Sequence, residues 1–267
     1  MHPMLNTAIR AARSAGDMIV RALDRRDELT VSTKGHHDFV TGVDQAAESL
    51  IVEALHKAYP DHAILGEEGG NHHQGGSSCR WIIDPLDGTT NFLQGLPHFA
   101  VSIALEVDGK LDQAVIYDPV KNDLFTASRG GGAQLNERRM RVSERRGLDG
   151  AVLATGFPFK HQELMEPQLD LMRSLLRSTS GMRRWGSAAL DLAYTACGRF
   201  DGYWEFRLNP WDVAAGMLLV REAGGIVTDF DGGDDVFASG NVLAANPRVH
   251  RPLLDEIRSR VPADLRR

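Results

Sequence analysis

The chain has 267 residues, 42% of them hydrophobic, which is enough to bury a large core in one layered domain or in two closely packed lobes. No apolar run approaches the roughly 20 residues that a membrane-spanning helix needs, so we expect a cytoplasmic protein without a membrane partner. The net charge of -6 excludes a protein whose whole surface binds nucleic acid, but it permits a local basic patch.

The first half of the chain combines two predicted helices with short strands. Apolar residues recur at helical spacing over 4–23, and the acidic residues among them favour a helix docked on the core over a transit peptide. A second helix is predicted over 45–58, where Pro60 follows its end. Strands are predicted over 63–65, 81–83, 99–107 and 111–117, the last two joined by the hairpin signal Asp108-Gly109.

The second half alternates between strands and helices. The pattern predicts strands over 151–155, 202–206 and 226–229, and helices over 163–177, 187–196, 212–223 and 252–260. Antiparallel strands followed by alternating elements predict two halves, 1–150 and 151–267, packed around a shared cleft as one compact unit.

The segment 81–91, WIIDPLDGTTN, places two carboxylates and a stiff residue directly after an apolar strand. Pro85 fixes its own φ and keeps Asp84 extended, so we expect the chain to turn where the strand ends. Asp84, Asp87 and the carbonyl of Leu86 can then offer three oxygens to one cation. Hard cations such as Mg²⁺ prefer oxygen ligands.

The residues after this turn predict an anion site. Gly88 allows the backbone to approach a ligand closely, and residues 89–91 are types that start helices, whose free N–H groups would face an anion. The alternative is an acidic turn that caps a helix. On its own the pattern is more often such a turn, since Asp and Gly are ordinary turn residues.

Together with 81–91, three further segments resemble the inositol monophosphatase family, namely DFVTGVD at 38–44, GEEGG at 66–70 and WDVAAG at 211–216. The likeness covers nearly the whole chain. It is greatest with a bacterial branch linked to ribosomal RNA transcription antitermination, on GFPF at 156–159, GSAALDLAY at 186–194 and REAGG at 221–225. The resemblance implies a mixed α/β fold of the layered αβαβα sugar phosphatase type.

The resemblance also implies a metal site. If Glu67, Asp84, Asp87 and Asp212 converged without cations, their like charges would raise their pKa values and destabilise the fold. In the family, the residues that match these four and the Leu86 carbonyl hold two or three Mg²⁺ ions. The implied activity is a Mg²⁺-dependent, lithium-sensitive phosphomonoesterase that acts on myo-inositol 1-phosphate and related small phosphate esters.

Catalysis would follow from the same residues. The resemblance implies that Glu67, Asp44 and Thr89 are catalytic: Thr89 orients the attacking water, and Asp44 accepts from the Thr89 hydroxyl and serves as an outer or third-metal ligand. Backbone N–H groups of Gly88 and Thr89 would hold the phosphate, with Asp87 beside them. No covalent phosphoenzyme is expected.

Substrate selection is expected from the second half. Gly186, Ser187 and Ala188 match backbone that faces the polyol, Glu205 matches a carboxylate that accepts sugar hydroxyls, and Arg183 matches a substrate-side arginine of the bacterial branch; Asp212 is also implied here. Each has a structural alternative. Ser187 could cap a helix, Glu205 could be a solvated strand end, and Arg183 could be structural.

Two features of the sequence predict partners. The resemblance implies a homodimer with Arg184 and Trp185 near the subunit contact, although the pair could pack within one subunit. The arginine-rich run 138–146 could touch RNA or a transcription elongation protein, but such a run is more often a solvated strand face. A second class of function is therefore a transcription antitermination factor that retains the metal site.

Cysteine, histidine and lysine residues add weaker expectations. Cys79 and Cys197 are predicted to be free thiols in a reducing cytosol. The histidine pairs at 36–37 and 72–73 lack helical spacing and are predicted to be solvated rather than bound to zinc. Lys34 matches a loop that covers the site in the family, and the alternative is a mobile surface lysine.

Overall fold

The computed structural model describes residues 2–25, 31–35, 38–73 and 76–266, without the side chains of 31–40 and 73. In this part of the chain, two sheets and three helical layers alternate. The αβαβα sandwich expected from the resemblance is confirmed.

The larger sheet belongs to the first half. Its described strands follow the order β10-β9-β8-β7-β6-β5-β3-β4, and all neighbours are antiparallel except β3 and β5. A separate hairpin, β1 (Val31–Gly35) with β2 (Asp38–Thr41), precedes it. The strands of the sheet are β3 (Ala63–Gly66), β4 (Gly70–His73), β5 (Cys79–Asp87), β6 (Ala100–Val107), β7 (Lys110–Asp118), β8 (Asp123–Ser128), β9 (Gly132–Leu135) and β10 (Arg138–Arg139).

The smaller sheet belongs to the second half. Its order is β12-β11-β13-β15-β14, with β11 parallel to both of its neighbours and β15 antiparallel to both of its own. The strands are β11 (Val152–Thr155), β12 (Gly181–Arg183), β13 (Gly202–Glu205), β14 (Ile226–Thr228) and β15 (Val242–Ala245). Residue 150, where the sequence predicted the division, lies in the segment that connects β10 to β11.

Helices fill the other three layers. Helices α1 and α2 cover the outer face of the larger sheet, α5 and α6 lie between the sheets, and α4 and α8 cover the outer face of the smaller one. Every residue of α5 is buried, as expected for a central helix that is apolar on most faces. The helices are α1 (Pro3–Leu23), α2 (Gly42–Ala58), α3 (Thr89–Leu93), α4 (Met165–Leu175), α5 (Ala188–Ala196), α6 (Pro210–Glu222), α7 (Val236–Ser239) and α8 (Pro247–Arg260).

Strand β5 does not turn at Pro85, contrary to the sequence-based expectation. It stays paired with β6 through Asp84, opposite Ser102, and pairs again at Asp87, opposite Ala100. Three steps on β5 thus match two on β6, which is a β-bulge with one extra residue. Residues three apart on a regular strand point to opposite faces, but the extra residue restores the match, so the bulge points both aspartates to one side.

The start of α8 is the other clear correction. The sequence predicted a helix from Pro252, but α8 begins at Pro247, and Asn246 caps it by accepting from the N–H groups of Arg248 and Val249. Pro252 lies inside the helix, where its missing N–H removes one hydrogen bond without ending it. The other predicted helices and strands occur with shifted ends, and the 108–109 hairpin is confirmed.

Two further sequence-based expectations concern the cysteines and membrane-spanning helices. Cys79 and Cys197 are free thiols, as predicted. Among the described residues, none of the helices combines the length and the apolar character needed to cross a bilayer.

His250 on α8 makes the fold sensitive to acid. It is 6% exposed, and its Nε2 lies 3.0 Å from the Thr228 hydroxyl. Burial, with a smaller contribution from Arg258, lowers its pKa to about 4. Since the folded pKa lies below the unfolded value, the neutral ring stabilises the fold above about pH 6.5, and this stability is lost as the pH falls towards 4.

We therefore expect the free energy of unfolding of wild type to fall between pH 6.5 and 4 relative to that of His250→Gln, which has no proton to gain. Urea unfolding of both proteins across this range measures the difference. A gap between wild type and variant that does not change with pH would contradict the assignment.

Candidate active site

A polar pocket of about 200 Å³ opens between the two sheets. Residues from both halves of the chain line it, so the shared cleft expected from the sequence is present. Two cationic side chains, Lys160 and Arg184, also line it. Its acidic lining residues are Glu67, Asp87, Asp191, Glu205 and Asp212.

The bulged end of β5 contributes two of the predicted metal ligands. Asp84 is 1% exposed, and its Oδ1 accepts from the N–H of Leu86 at 3.0 Å. Asp87 borders the pocket, and its Oδ2 accepts from the Ser187 hydroxyl at 2.6 Å and from the Ala189 N–H at 2.7 Å. These contacts fix the end of the larger sheet to the start of α5.

Glu67 lies just after β3, in a loop that a second buried acid holds in place. Glu48 on α2 is 2% exposed and accepts from the N–H groups of Glu68 at 2.9 Å and Gly69 at 2.7 Å. A Cβ on Gly66 would lie 2.4 Å from the Glu48 carboxylate, so only glycine allows this approach. Sequence analysis missed Glu48, although its spacing of four residues from Asp44 puts both acids on one helical face.

His72 also belongs to this arrangement. His72 is exposed to solvent, as predicted, but its Nε2 also lies 2.7 Å from Glu48 Oε1. The side chain of His73, like Lys34 and the pair at 36–37, lies outside the described side chains.

Asp212 occupies the first turn of α6. The helix starts with Pro210, and the backbone N–H of Asn209 donates to Asp212 Oδ2 at 2.6 Å in a capping box. The positive end of the helix dipole favours a carboxylate here. The other oxygen, Oδ1, is left for the pocket that Asp212 lines.

Asp44 and Thr89 form the contact expected from the resemblance. The Thr89 hydroxyl lies 2.9 Å from Asp44 Oδ1 and 3.1 Å from the Leu86 carbonyl. Asp44 Oδ2 accepts from the backbone N–H of Thr41 at 2.9 Å and from its hydroxyl at 2.5 Å. Asp44 is 1% exposed, so these donors hold a buried acceptor that fixes the Thr89 hydroxyl.

Burial and crowding together raise the pKa values of the buried acids. Burial, followed by the charges of Glu67, Asp87 and Asp212, raises the pKa of Asp84 well above its usual value. Burial and the charges of Asp87 and Glu67 do the same to the pKa of Asp212. Burial raises the pKa of Asp87 to about 6, although the Ser187 and Ala189 donors oppose this.

These acids fit a divalent cation, because a positive charge removes the repulsion that raises their pKa values. In the described part of the chain, no group of three or more Asp, Glu, His or Cys side chains is arranged so that it could hold a metal ion as it stands. An open acidic recess suits Mg²⁺, which commonly completes its coordination with water and phosphate oxygens.

Gly88 and Gly186 shape the backbone around the pocket. Gly88 has a φ of 98°, and a Cβ there would lie 3.1 Å from the His98 carbonyl. Gly186 has a φ of 81°, and a Cβ there would lie 2.7 Å from Arg184 Nη1. Both positions need glycine, for conformation and for space.

The predicted substrate residues divide into two groups. Ser187, Ala188 and Glu205 line the pocket. The Ser187 hydroxyl also accepts from the Leu190 N–H at 3.3 Å, so it caps α5 while it donates to Asp87. The side chain of Arg183 is exposed, donates to the Met182 carbonyl at 3.2 Å and is not among the pocket residues.

Arg184, the neighbour of Arg183, borders the pocket. Its guanidinium lies 5.2 Å from the centre of the Phe159 ring and 5.8 Å from that of Phe157. Its charge lowers the pKa of Glu205, although burial raises that pKa overall to about 7. Arg184 also lines the apolar recess that contains Trp185, so the subunit contact expected for this pair stays a prediction.

Comparison with known proteins gives one consistent result. The model of the inositol monophosphatase family matches residues 1–263. The Nus factor SuhB of Pseudomonas aeruginosa is 53% identical over 271 aligned residues, which cover 100% of both chains.

Solved structures agree with this match. The extragenic suppressor protein suhB from Bartonella henselae has a TM-score of 0.93 and 48% identity, covering 96% of this chain and 98% of its own. The inositol monophosphatase from Anabaena (Nostoc) sp. has a TM-score of 0.86 and 38% identity, covering 97% of each chain.

We expect Asp87→Asn to weaken Mg²⁺ binding by roughly tenfold or more, since the amide keeps the acceptor for Ser187 and Ala189 but turns an N–H₂ group to the cation. Calorimetric titration with Mg²⁺ measures this without substrate. Asp112→Asn removes the same charge from a surface pair with Arg129 and is the control. Equal affinities in the two variants would exclude Asp87 as a ligand.

Proposed function

The chain belongs to the inositol monophosphatase family, and we propose that it is a Mg²⁺-dependent phosphomonoesterase that hydrolyses myo-inositol 1-phosphate and related small phosphate esters. The observation that carries the proposal is the crowding of Glu67, Asp87 and Asp212 in one recess with buried Asp84 close to them, where burial and neighbouring carboxylates raise the pKa values of Asp84 and Asp212. A phosphate ester and its cations would complete the charge balance that these acids lack.

Five groups would hold the metal, two or three ions in all: Glu67, Asp84, the Leu86 carbonyl, Asp87 and Asp212, with Asp44 as an outer ligand. When bound, Mg²⁺ lowers the pKa of a water molecule and neutralises charge that develops on the phosphate. The chain itself keeps these oxygens in place, through Glu48 behind Glu67 and through the caps of α5 and α6.

Thr89 would orient the attacking water. Since its hydroxyl proton is directed to Asp44 or to the Leu86 carbonyl, its lone pairs are free to accept a proton of that water. The water then attacks phosphorus in line with the ester oxygen, and the phosphorus–oxygen ester bond breaks as the alcohol leaves. Glu205 and the backbone of 186–188 would bind the alcohol part.

The direct test is turnover of myo-inositol 1-phosphate with Mg²⁺, together with Thr89→Val and Thr89→Ser. Valine keeps the shape of threonine but cannot orient water, so kcat should fall by roughly a hundredfold or more, whereas serine keeps the hydroxyl and most of the rate. No turnover by the wild type on any small phosphate ester would refute the proposed activity. Equal rates in the valine and serine variants would refute the role of Thr89.

We also propose that the protein forms a homodimer through an apolar recess of about 530 Å³ beside the pocket. Leu96 and Trp185 line this recess and are 52% and 40% exposed. The Trp185 ring packs at 5.2 Å from Phe200 and 5.7 Å from Tyr194, so its own chain already fixes the tryptophan as a rigid anchor.

Leu96→Asp should shift the protein towards monomer, because dimerisation would bury the new charge in an apolar contact. Sedimentation velocity at several concentrations measures the change. Leu176→Asp, on a leucine that is 58% exposed at the end of α4, is the matched control and should not alter association. A wild-type monomer, or equal dimer fractions in both variants, would contradict this interface.

A second candidate function rests on the relatives named Nus factor, at 53% and 52% identity over the full chain. Here the protein would bind transcription elongation proteins or RNA. The arginines at 138, 139 and 141 are exposed at the edge strand β10 and are one surface for such a partner. Binding of purified elongation proteins by both wild type and Asp87→Asn would separate this role from phosphatase activity.

A further inference from the structure

Asp191 is a buried acid without an assigned role. It lies in the first turn of α5, whose start holds Asp87 through Ser187 and Ala189. Its side chain lines the pocket and is only 1% exposed, and its Oδ1 has no hydrogen-bond partner. Most buried polar atoms in proteins are paired, so an unpaired carboxyl oxygen at a pocket wall calls for a ligand.

Other buried acids of the chain are satisfied. Asp118 is 0% exposed and accepts from the N–H groups of Val120 and Lys121 and from the Lys121 ammonium. Glu48 is 2% exposed and also has three partners. The fold therefore provides donors for these two acids, whereas Asp191 Oδ1 has none in the described part of the chain.

The surroundings of Asp191 indicate the chemistry of the missing partner. Burial, followed by the carboxylates of Glu205 and Asp87, raises the pKa of Asp191, and Arg184 opposes this. A second phosphate or a carboxylate on the ligand would be repelled by this group of acids. A hydroxyl suits it, because a hydroxyl can donate to a carboxylate and accept from a carboxylic acid.

Tyr203 does not supply that hydroxyl. Its phenol donates to Glu205 Oε2 at 2.6 Å, and Glu205 lies against the backbone of Gly156. Glu205 is thus held by its own neighbours, while Asp191 Oδ1 is buried at the pocket wall and has no hydrogen-bond partner within the described chain.

We propose that Asp191 is a specificity-determining residue that hydrogen-bonds a hydroxyl of the polyol part of the substrate, between Asp87 and Glu205. This inference rests on the proposed phosphatase function and extends it. It places the phosphate at the Asp84 and Asp212 end of the pocket and requires a polyhydroxylated alcohol at the Asp191 end.

The test compares Asp191→Leu, which keeps the approximate shape without polar atoms, with the conservative Asp191→Asn. Against myo-inositol 1-phosphate, the leucine variant should raise KM by roughly tenfold or more and leave kcat within about threefold, because one substrate hydrogen bond is lost. With p-nitrophenyl phosphate, which has no polyol, KM should stay within about twofold. Asparagine should restore most of the polyol affinity, since it can still pair with a hydroxyl.

Thermal stability distinguishes this role from a structural one, because the two roles predict opposite changes in Tm. Asp191→Leu should raise Tm, because it removes an unsatisfied buried carboxyl, whereas Asp118→Leu removes a satisfied one and should lower Tm. Asp118→Leu, the control, should alter the kinetics of both substrates to the same extent. A lower Tm for Asp191→Leu with equal losses on the two substrates, or no change in KM for either, would overturn the proposal.

Failure of the proposed phosphatase function can be distinguished from failure of the proposed role of Asp191. If wild type hydrolyses neither phosphate ester, the activity is wrong, and the role of Asp191 is decided by binding of myo-inositol with inorganic phosphate and Mg²⁺, measured by calorimetry. Binding by wild type but not by Asp191→Leu supports the role. Equal binding, or none by wild type, refutes it.

Discussion

Repulsion between acidic side chains that share one recess is the constraint on which this structure depends. Asp84 and Asp212 lie where burial and neighbouring charges both disfavour ionisation. Such a group destabilises the fold unless a ligand compensates, which is the role proposed here for cations and a phosphate ester. The surrounding elements are therefore best understood as supports that keep the acids together despite their charge.

Each support uses ordinary backbone chemistry. The bulge at β5 brings Asp84 and Asp87 to the same face, and the start of α5 supplies donors to Asp87. Glu48 holds the loop that carries Glu67, and a capping box holds Asp212. These supports come from the larger sheet, from α2 on its outer face and from the helices between the two sheets. The site therefore depends on packing between the two halves of the chain.

The sequence predicted the acids and the layered fold, because the motifs that carry them are short segments that can be read directly from the order of residues. Tertiary contacts were not accessible in this way. The bulge around Pro85 depends on pairing with β6, and the choice of Arg184 over Arg183 depends on where β12 ends. Glu48 and Asp191 look like ordinary helical acids until the structure shows three donors for one and an unpaired oxygen on the other.

The most direct test of the central claim is anomalous diffraction from crystals soaked with Mn²⁺, which prefers the same oxygen ligands as Mg²⁺. The account predicts at least one strong anomalous peak within coordination distance of Asp84, Asp87 and Glu67, with Asp212 contacting the same or a second ion. Peaks found only elsewhere on the protein, with the four acids unchanged at saturating Mn²⁺, would contradict it.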